Sequence, residues 1–438
     1  THTLLPRFTL EKVVAMIGVI AMKAVLLTAI VLICGIGCDG QDDSLAHPED
    51  LPETWLSEIL RTVPAQTELL HHLNYLSVAN YEAGRVPRPL GYLEGNFPRA
   101  SIGADPGNYL GDWPQLNEAI GLDIVSRDQA AWVEEHLFGI HAGELGDPAQ
   151  IRARLLDAGY QSYHHRGMEY YRLAPSIGSA EKKNPRHGMM LYHLYNSIAF
   201  VDKRTLVTAR HPRELKRIID AREGIVRSMW EEERWRTLAK AAGDEILGGL
   251  LIDPKYVMGP FKTEDEKITG LEYWVKENLG EWSRYAEGPE AWGILEPYTA
   301  SAIGYTLRDE AAGTLIALYH PDPEAADRNA EELKHRWKSA RLDLRTEETL
   351  GGVSRYQGRL TFHEPTRGPD IPFTEMCAPL ETRTLVFDES SVLLATCPAI
   401  EREAIFAGAG GYDFYWGVFN YDELHFLVPD LSGLAAAQ

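Results

Sequence analysis

IAFVDKRTLVTARHPR, residues 198–213, and TLVFDESSVLLATCPA, residues 384–399, share one pattern. Each reads as an apolar strand, a polar turn opened by Asp, a second apolar strand, then x-Pro and a helix. Asp202 aligns with Asp388, Ala209 with Ala395 and Pro212 with Pro398, each pair 186 positions apart. Proline at the first helical position loses no helical hydrogen bond, so the helix starts where the hairpin stops. In the first stretch that helix continues with Leu215, Ile218 and Ile219 on one side.

A second pattern precedes the hairpin in both places. A strand from His136 to Glu144 runs into Gly-Asp147-Pro148, and a strand from Thr314 to His320 runs into Pro-Asp322-Pro323. Asp at the N-cap accepts from free backbone amides, so each strand is expected to lead into a helix. In the second copy Ala326, Ala330, Leu333 and Trp337 recur at helical spacing. Between the two patterns lie strand pairs, Gln161–His165 with Glu169–Leu173, and Leu342–Arg345 with Gly352–Tyr356. The expected fold is α+β, with two tandem related halves, residues 54–242 and 243–438. Each half would be an antiparallel sheet with its strand–helix and hairpin–helix units packed on one face. Ahead of the first copy, Trp55–Arg61 reads as a short helix, and Thr67–Leu76 as a strand or a helix start. Pro87–Trp113, with many Gly and Pro residues, reads as an irregular loop.

The composition is that of a folded chain: 438 residues, 45% hydrophobic and 24% charged, with a net charge of −21. Such acidity repels phosphate backbones and anionic headgroups, which argues against nucleic-acid binding. Residues 1–38 differ from the rest. From Met22 the chain reads MKAVLLTAIVLICGIGCD, with Lys23, an apolar run to about Ile36, small residues and Cys38. Charged start, apolar middle and small-residue end are the order of a secretory signal. The Gly-Ile-Gly-Cys ending resembles the lipobox of bacterial lipoproteins. The resemblance implies cleavage after Gly37 and lipidation of the Cys38 sulfur; Gly35 stands where the family usually has Leu. The alternative is an uncleaved anchor over Val13–Gly37, interrupted by Lys23. Both place the body outside the cytoplasm, with the membrane as its partner through lipid or helix. Residues 39–53 are polar and read as a tether.

Two cysteines remain, Cys377 and Cys397. In an oxidising compartment a disulfide at the base of the second hairpin is expected; two buried thiols are the alternative. Among 15 histidines, His164, His165, His187 and His193 are the ones the strands would gather, and they stand as catalytic candidates. Adjacent pairs such as His71-His72 diverge on a strand. No metal-binding spacing, nucleophile elbow or dinucleotide fingerprint occurs, so no metal or cofactor is expected. Tyr160, Tyr163, Tyr170, Tyr171, Tyr192 and Tyr195 form one aromatic group, and residues 412–421 hold another. These would line a binding face or fill a core. Lys182, Lys183 and Arg186 form a small basic loop, and Glu231–Glu233 read as a solvated helix face. The leading functional reading is an extracytoplasmic, lipid-anchored binding or structural component of an envelope. The alternatives are an envelope enzyme, such as a hydrolase, with a site between the halves, and an assembly accessory that offers a sheet edge.

Overall fold

The computed structural model describes residues 47–74, 113–122, 127–133, 138–243, 246–255, 295–308, 311–339, 341–348, 354–361, 370–372, 379–387, 389–398 and 427. All belong to the unit that runs from Ala46 to Gln438. The residues proposed as signal, most of the tether, residues 87–112 of the expected loop, Cys377 and the aromatics at 412–421 lie outside them.

The chain opens with α1 (Trp55–Leu60) and β1 (Leu69–Asn74), then α2 (Trp113–Ile120), β2 (Arg127–Val133) and β3 (Phe138–Gly143). It continues through α3 (Pro148–Asp157), β4 (Gln161–His165), β5 (Met168–Arg172), α4 (Ile177–Lys183) and α5 (Gly188–Tyr195). Then come β6 (Ser197–Phe200), β7 (Thr205–Ala209), α6 (Pro212–Arg222), α7 (Glu233–Ala242) and β8 (Ile246–Ile252). The remainder is β9 (Ala300–Arg308), β10 (Ala311–His320), α8 (Pro323–Ser339), β11 (Arg341–Glu348), β12 (Ser354–Thr361), β13 (Asp370–Pro372), β14 (Glu381–Val386) and β15 (Ser391–Pro398).

Twelve strands form one open antiparallel sheet in the order β14-β15-β10-β9-β8-β1-β2-β3-β7-β6-β5-β4. β11 sits between β12 and β13 in a separate three-stranded sheet. The two sequence segments are thus joined in one sheet, through the pairing of β1 with β8 at Leu70↔Leu251. Beside that seam the backbones crowd. A Cβ at Gly249 would collide with the Ile303 carbonyl, and one at Gly304 with the Gly248 carbonyl, so this register of β8 on β9 requires glycine.

The local signals work as their chemistry dictates. Asp147 caps α3 by accepting from the Ala149 amide at 3.0 Å, with Pro148 following. Pro212 starts α6. Asp202 accepts from the Arg204 and Thr205 amides and so builds the first hairpin turn.

One expectation is corrected. The helices do not share one face of the sheet. One core joins Leu56 and Leu60 of α1, Leu215 and Ile218 of α6, and Trp235 and Leu238 of α7 to Ala199 and Val207. The other joins Ile151 and Leu155 of α3, Ala180 of α4 and Leu191 of α5 to Ile198 and Leu206. Neighbours on a strand point to opposite faces, so the sheet is covered on both sides. α8 also lies opposite the first core: its Asn329 meets His320, the neighbour of the first-core residue Tyr319. The continuous apolar runs of the hairpin strands are the cause, since a strand buried on both faces needs apolar residues at every position.

Candidate functional site

The β4–β5 hairpin ends the sheet. It closes through Arg166 (φ 54) and Gly167 (φ 83), with His165↔Met168 as the last pair. Two left-handed residues in succession make the hairpin turn whose twist matches the strands. Gly167 takes that conformation without strain.

Alternation sorts the hairpin's side chains. On one face Tyr163 stacks on Tyr170 at 5.5 Å, and Lys216 of α6 lies 5.7 Å over the Tyr170 ring. His165 shares this face, its Nε2 lying 2.8 Å from Asp220 Oδ1 of α6. Arg166 Nε lies 3.6 Å from the same oxygen. On the other face Ser162 donates to Glu169 at 2.6 Å. Hydrogen bonds from Ser162 and Tyr171 hold the Glu169 carboxyl below its usual range. Burial, then the bond to Glu169, pushes Tyr171 up to about 12. β4 itself is exposed over Gln161–His164, and Tyr163 is 38% exposed.

The four candidate histidines do not converge. His164 and His165 point to opposite faces, His164 exposed and His165 engaged by Asp220. His187 is buried at the N-cap of α5, and His193, further along the same helix, lies edge-on to Tyr192 at 6.1 Å. Among the described residues no three His, Cys, Asp or Glu side chains are arranged to hold a metal ion.

Most of the aromatic group is core. Tyr160, Tyr170, Tyr171, Tyr192 and Tyr195 are buried, and Tyr160 donates to the Tyr195 carbonyl at 2.7 Å. Tyr163 is the exception. The basic loop is also engaged: Lys183 donates to the Leu173 carbonyl at 2.6 Å, and Arg186 pairs with Glu118. Nor are Glu231–Glu233 simply solvated. Glu231 caps the Ser228 amide at 2.7 Å, and Glu232 pairs with Arg234 at 2.9 Å. Arg234 in turn reaches Asp253 at 2.6 Å, tying α7 to the end of β8. Cys397 is buried on β15 opposite Thr314.

Further buried histidines lie outside the candidate set. His71 stacks on Trp132 at 5.4 Å, while His72, on the other face, lies 5.4 Å from Trp55. Neither ring nitrogen of His72 finds a hydrogen-bond partner among the described residues. Burial, then the neighbouring His71, lowers its pKa to about 3. His320 is lowered to about 4, chiefly by burial. Asn329 Nδ2, which also donates to the Glu296 carbonyl, lies 2.7 Å from His320 Nε2, so that nitrogen accepts and the ring is neutral.

No protein-family model and no curated protein sequence matches the chain. A solved structure entitled "Structure of crystal form I of TP0453" is similar at a TM-score of 0.24 and 10% identity, over 69% of this chain and 92% of that one.

Proposed function

We propose that this protein is an extracytoplasmic, membrane-anchored envelope component that acts by binding, through the open edge of its sheet. The carrying observation is β4: an exposed edge strand whose titratable neighbours are engaged in packing or pairing. Strand addition uses such an edge, main-chain bonds giving affinity and alternate side chains giving specificity. The seam between the two segments, where an enzyme site would sit, is filled by the Leu70↔Leu251 pair and the core around it. The anchoring part rests on Met22–Asp39 and its lipobox-like end at Cys38. The test is fractionation of cells carrying Cys38→Ser. Release of the body from membranes supports a lipid anchor; unchanged attachment removes it in favour of the helix interrupted by Lys23.

The finer part of the proposal is that the sheet consists of two related halves about a pseudo-twofold axis. Support comes from strand order and register. Outward from the seam the first side reads β1-β2-β3-β7-β6 and the second β8-β9-β10-β15-β14, with the same connections. Anchoring the comparison on the last pair before each turn, Phe200↔Leu206 and Val386↔Ser391, fixes everything else. The row Ala131-Ile140-Val207-Ala199 then corresponds to Ala300-Tyr319-Val392-Leu385. Both rows face the same core. His141 falls on His320, both buried. Carried to the seam, Leu70 falls on Leu251, its own cross-strand partner, as a twofold through that pair requires. The constant spacing read from the sequence fails by one residue after the turn. The first turn closes from the Val201 amide to the Thr205 carbonyl and the second from Phe387 to Ser390, which is one residue shorter. Ala209 therefore matches Leu394 rather than Ala395.

A further inference from the structure

We infer that β4 is a self-association edge, to which a second copy of this chain adds its own β4 antiparallel, centred on Tyr163. Exposed edges are ordinarily blunted by lysine, proline, bulges or cover. β4 reads Gln-Ser-Tyr-His-His and carries none of the first three. At the other end of the sheet β14 carries Glu381 and Arg383. β11, the strand that follows α8 as β4 follows α3, has its second edge taken by β13 at Arg341↔Pro372 and Leu342↔Ile371. Of the two ends of the twelve-stranded sheet, β4 is thus the one without a charged, proline or bulge device.

The occupant follows from register and charge. A twofold at Tyr163 sets Tyr163 against its counterpart, Ser162 against His164 and Gln161 against His165. Each pairing sets hydrogen-bonding or aromatic side chains together, and none opposes two charged side chains, since each histidine faces Ser162 or Gln161. The Tyr170–Tyr163 stack would continue into the same stack of the second copy. The chain as a whole is acidic, with a net charge of −21, so an edge strand that carries no carboxylate is where two copies approach with least repulsion. The β1–β8 seam supplies a precedent of the same geometry; that precedent rests on the two-halves reading proposed above. A five-residue edge falls short of the roughly 1,200 Å² of a standard interface, so association is weak and depends on concentration. Tethering on one membrane raises the local concentration, and salt, by screening the acidic bodies, strengthens the contact.

The experiment uses the full chain in detergent micelles. Under mild oxidation Tyr163→Cys should give a covalent dimer, because directly opposed residues lie within disulfide reach. Ser162→Cys should not, because its counterpart is displaced along the strand beyond that reach. In sedimentation, Tyr163→Lys should abolish the concentration-dependent dimer while circular dichroism shows the fold intact, because two lysines then oppose each other. Absence of the Tyr163→Cys link, equal links at both positions, or a dimer indifferent to Tyr163→Lys would each overturn the inference. None of these outcomes bears on the internal twofold, which hydrogen exchange reads separately.

Discussion

The seam and the outer edge of the sheet both carry adjacent histidines, and treat them in opposite ways. At the seam His71 and His72 are buried between Trp132 and Trp55. At the edge His164 is exposed and His165 is paired with Asp220. Adjacent strand positions face opposite sides in both cases. What differs is the layer outside. On the face that carries Leu70 and His72, α1 and α7 with their apolar side chains cover the seam, and desolvation there favours the neutral ring of His72. The edge strand has solvent on one side, so its polar groups remain available. Burial is therefore concentrated at the seam, and the proposed recognition belongs to the edge.

The largest expected effect is acid lability from the seam. The folded-state pKa of His72 is about 3, against an ordinary value of 6.5. The unfolded chain thus binds the proton first. Stability is complete above pH 6.5 and falls as the pH drops from there toward 3, by roughly 4–5 kcal/mol for a group so completely buried. His320 adds a loss in the same direction between 6.5 and about 4. Urea midpoints measured across this range should fall with pH, and His72→Leu should flatten the slope. A slope indifferent to His72→Leu would place the lability elsewhere.

Next is Gly249→Val, expected to cost about 3 kcal/mol or more, because the side chain meets backbone rather than a movable side chain. A thermal midpoint close to that of the parent would mean that β8 and β9 separate easily. Gly167→Ala at the edge turn should cost only about 1 kcal/mol, since it strains one left-handed residue and meets open space. Smallest is Asp220→Asn, which weakens the part-exposed pair with His165 and should cost under about 1 kcal/mol. If Asp220→Asn proved as damaging as Gly249→Val, the contrast between seam and edge would fail.

Much of this arrangement is written in local sequence. Asp147-Pro148 and Asp322-Pro323 announce helices because a cap and a missing donor act within a few residues. The two hairpins are legible because their apolar runs are broken by polar turns. Other elements leave weaker marks. α5 is Gly-Met-Met-Leu-Tyr-His-Leu-Tyr, too short and too uniformly apolar to show a helical stripe. β8 contains Gly248-Gly249, which resembles a loop until Ile303 and Gly304 are seen against it. Which histidines matter is decided by what covers them, and Trp55 and Trp132 are distant in sequence from each other. The two-sided sheet is marked by Ile198-Ala199 and Leu206-Val207, apolar at consecutive positions, a signal that hairpin topology alone does not convey.

Amide hydrogen exchange on the full chain tests the centre of this picture most directly. The amides of β1 and β8 should be the slowest, exchanging only on global unfolding. Protection should decline in parallel outward, through β2 and β9, β3 and β10, then β7 and β15. In dilute protein the outward-facing amides of β4 should exchange fastest of the sheet. Rapid local exchange in β1 or β8, or protection that falls away on one side only, would contradict a sheet organised as two halves about the Leu70–Leu251 seam.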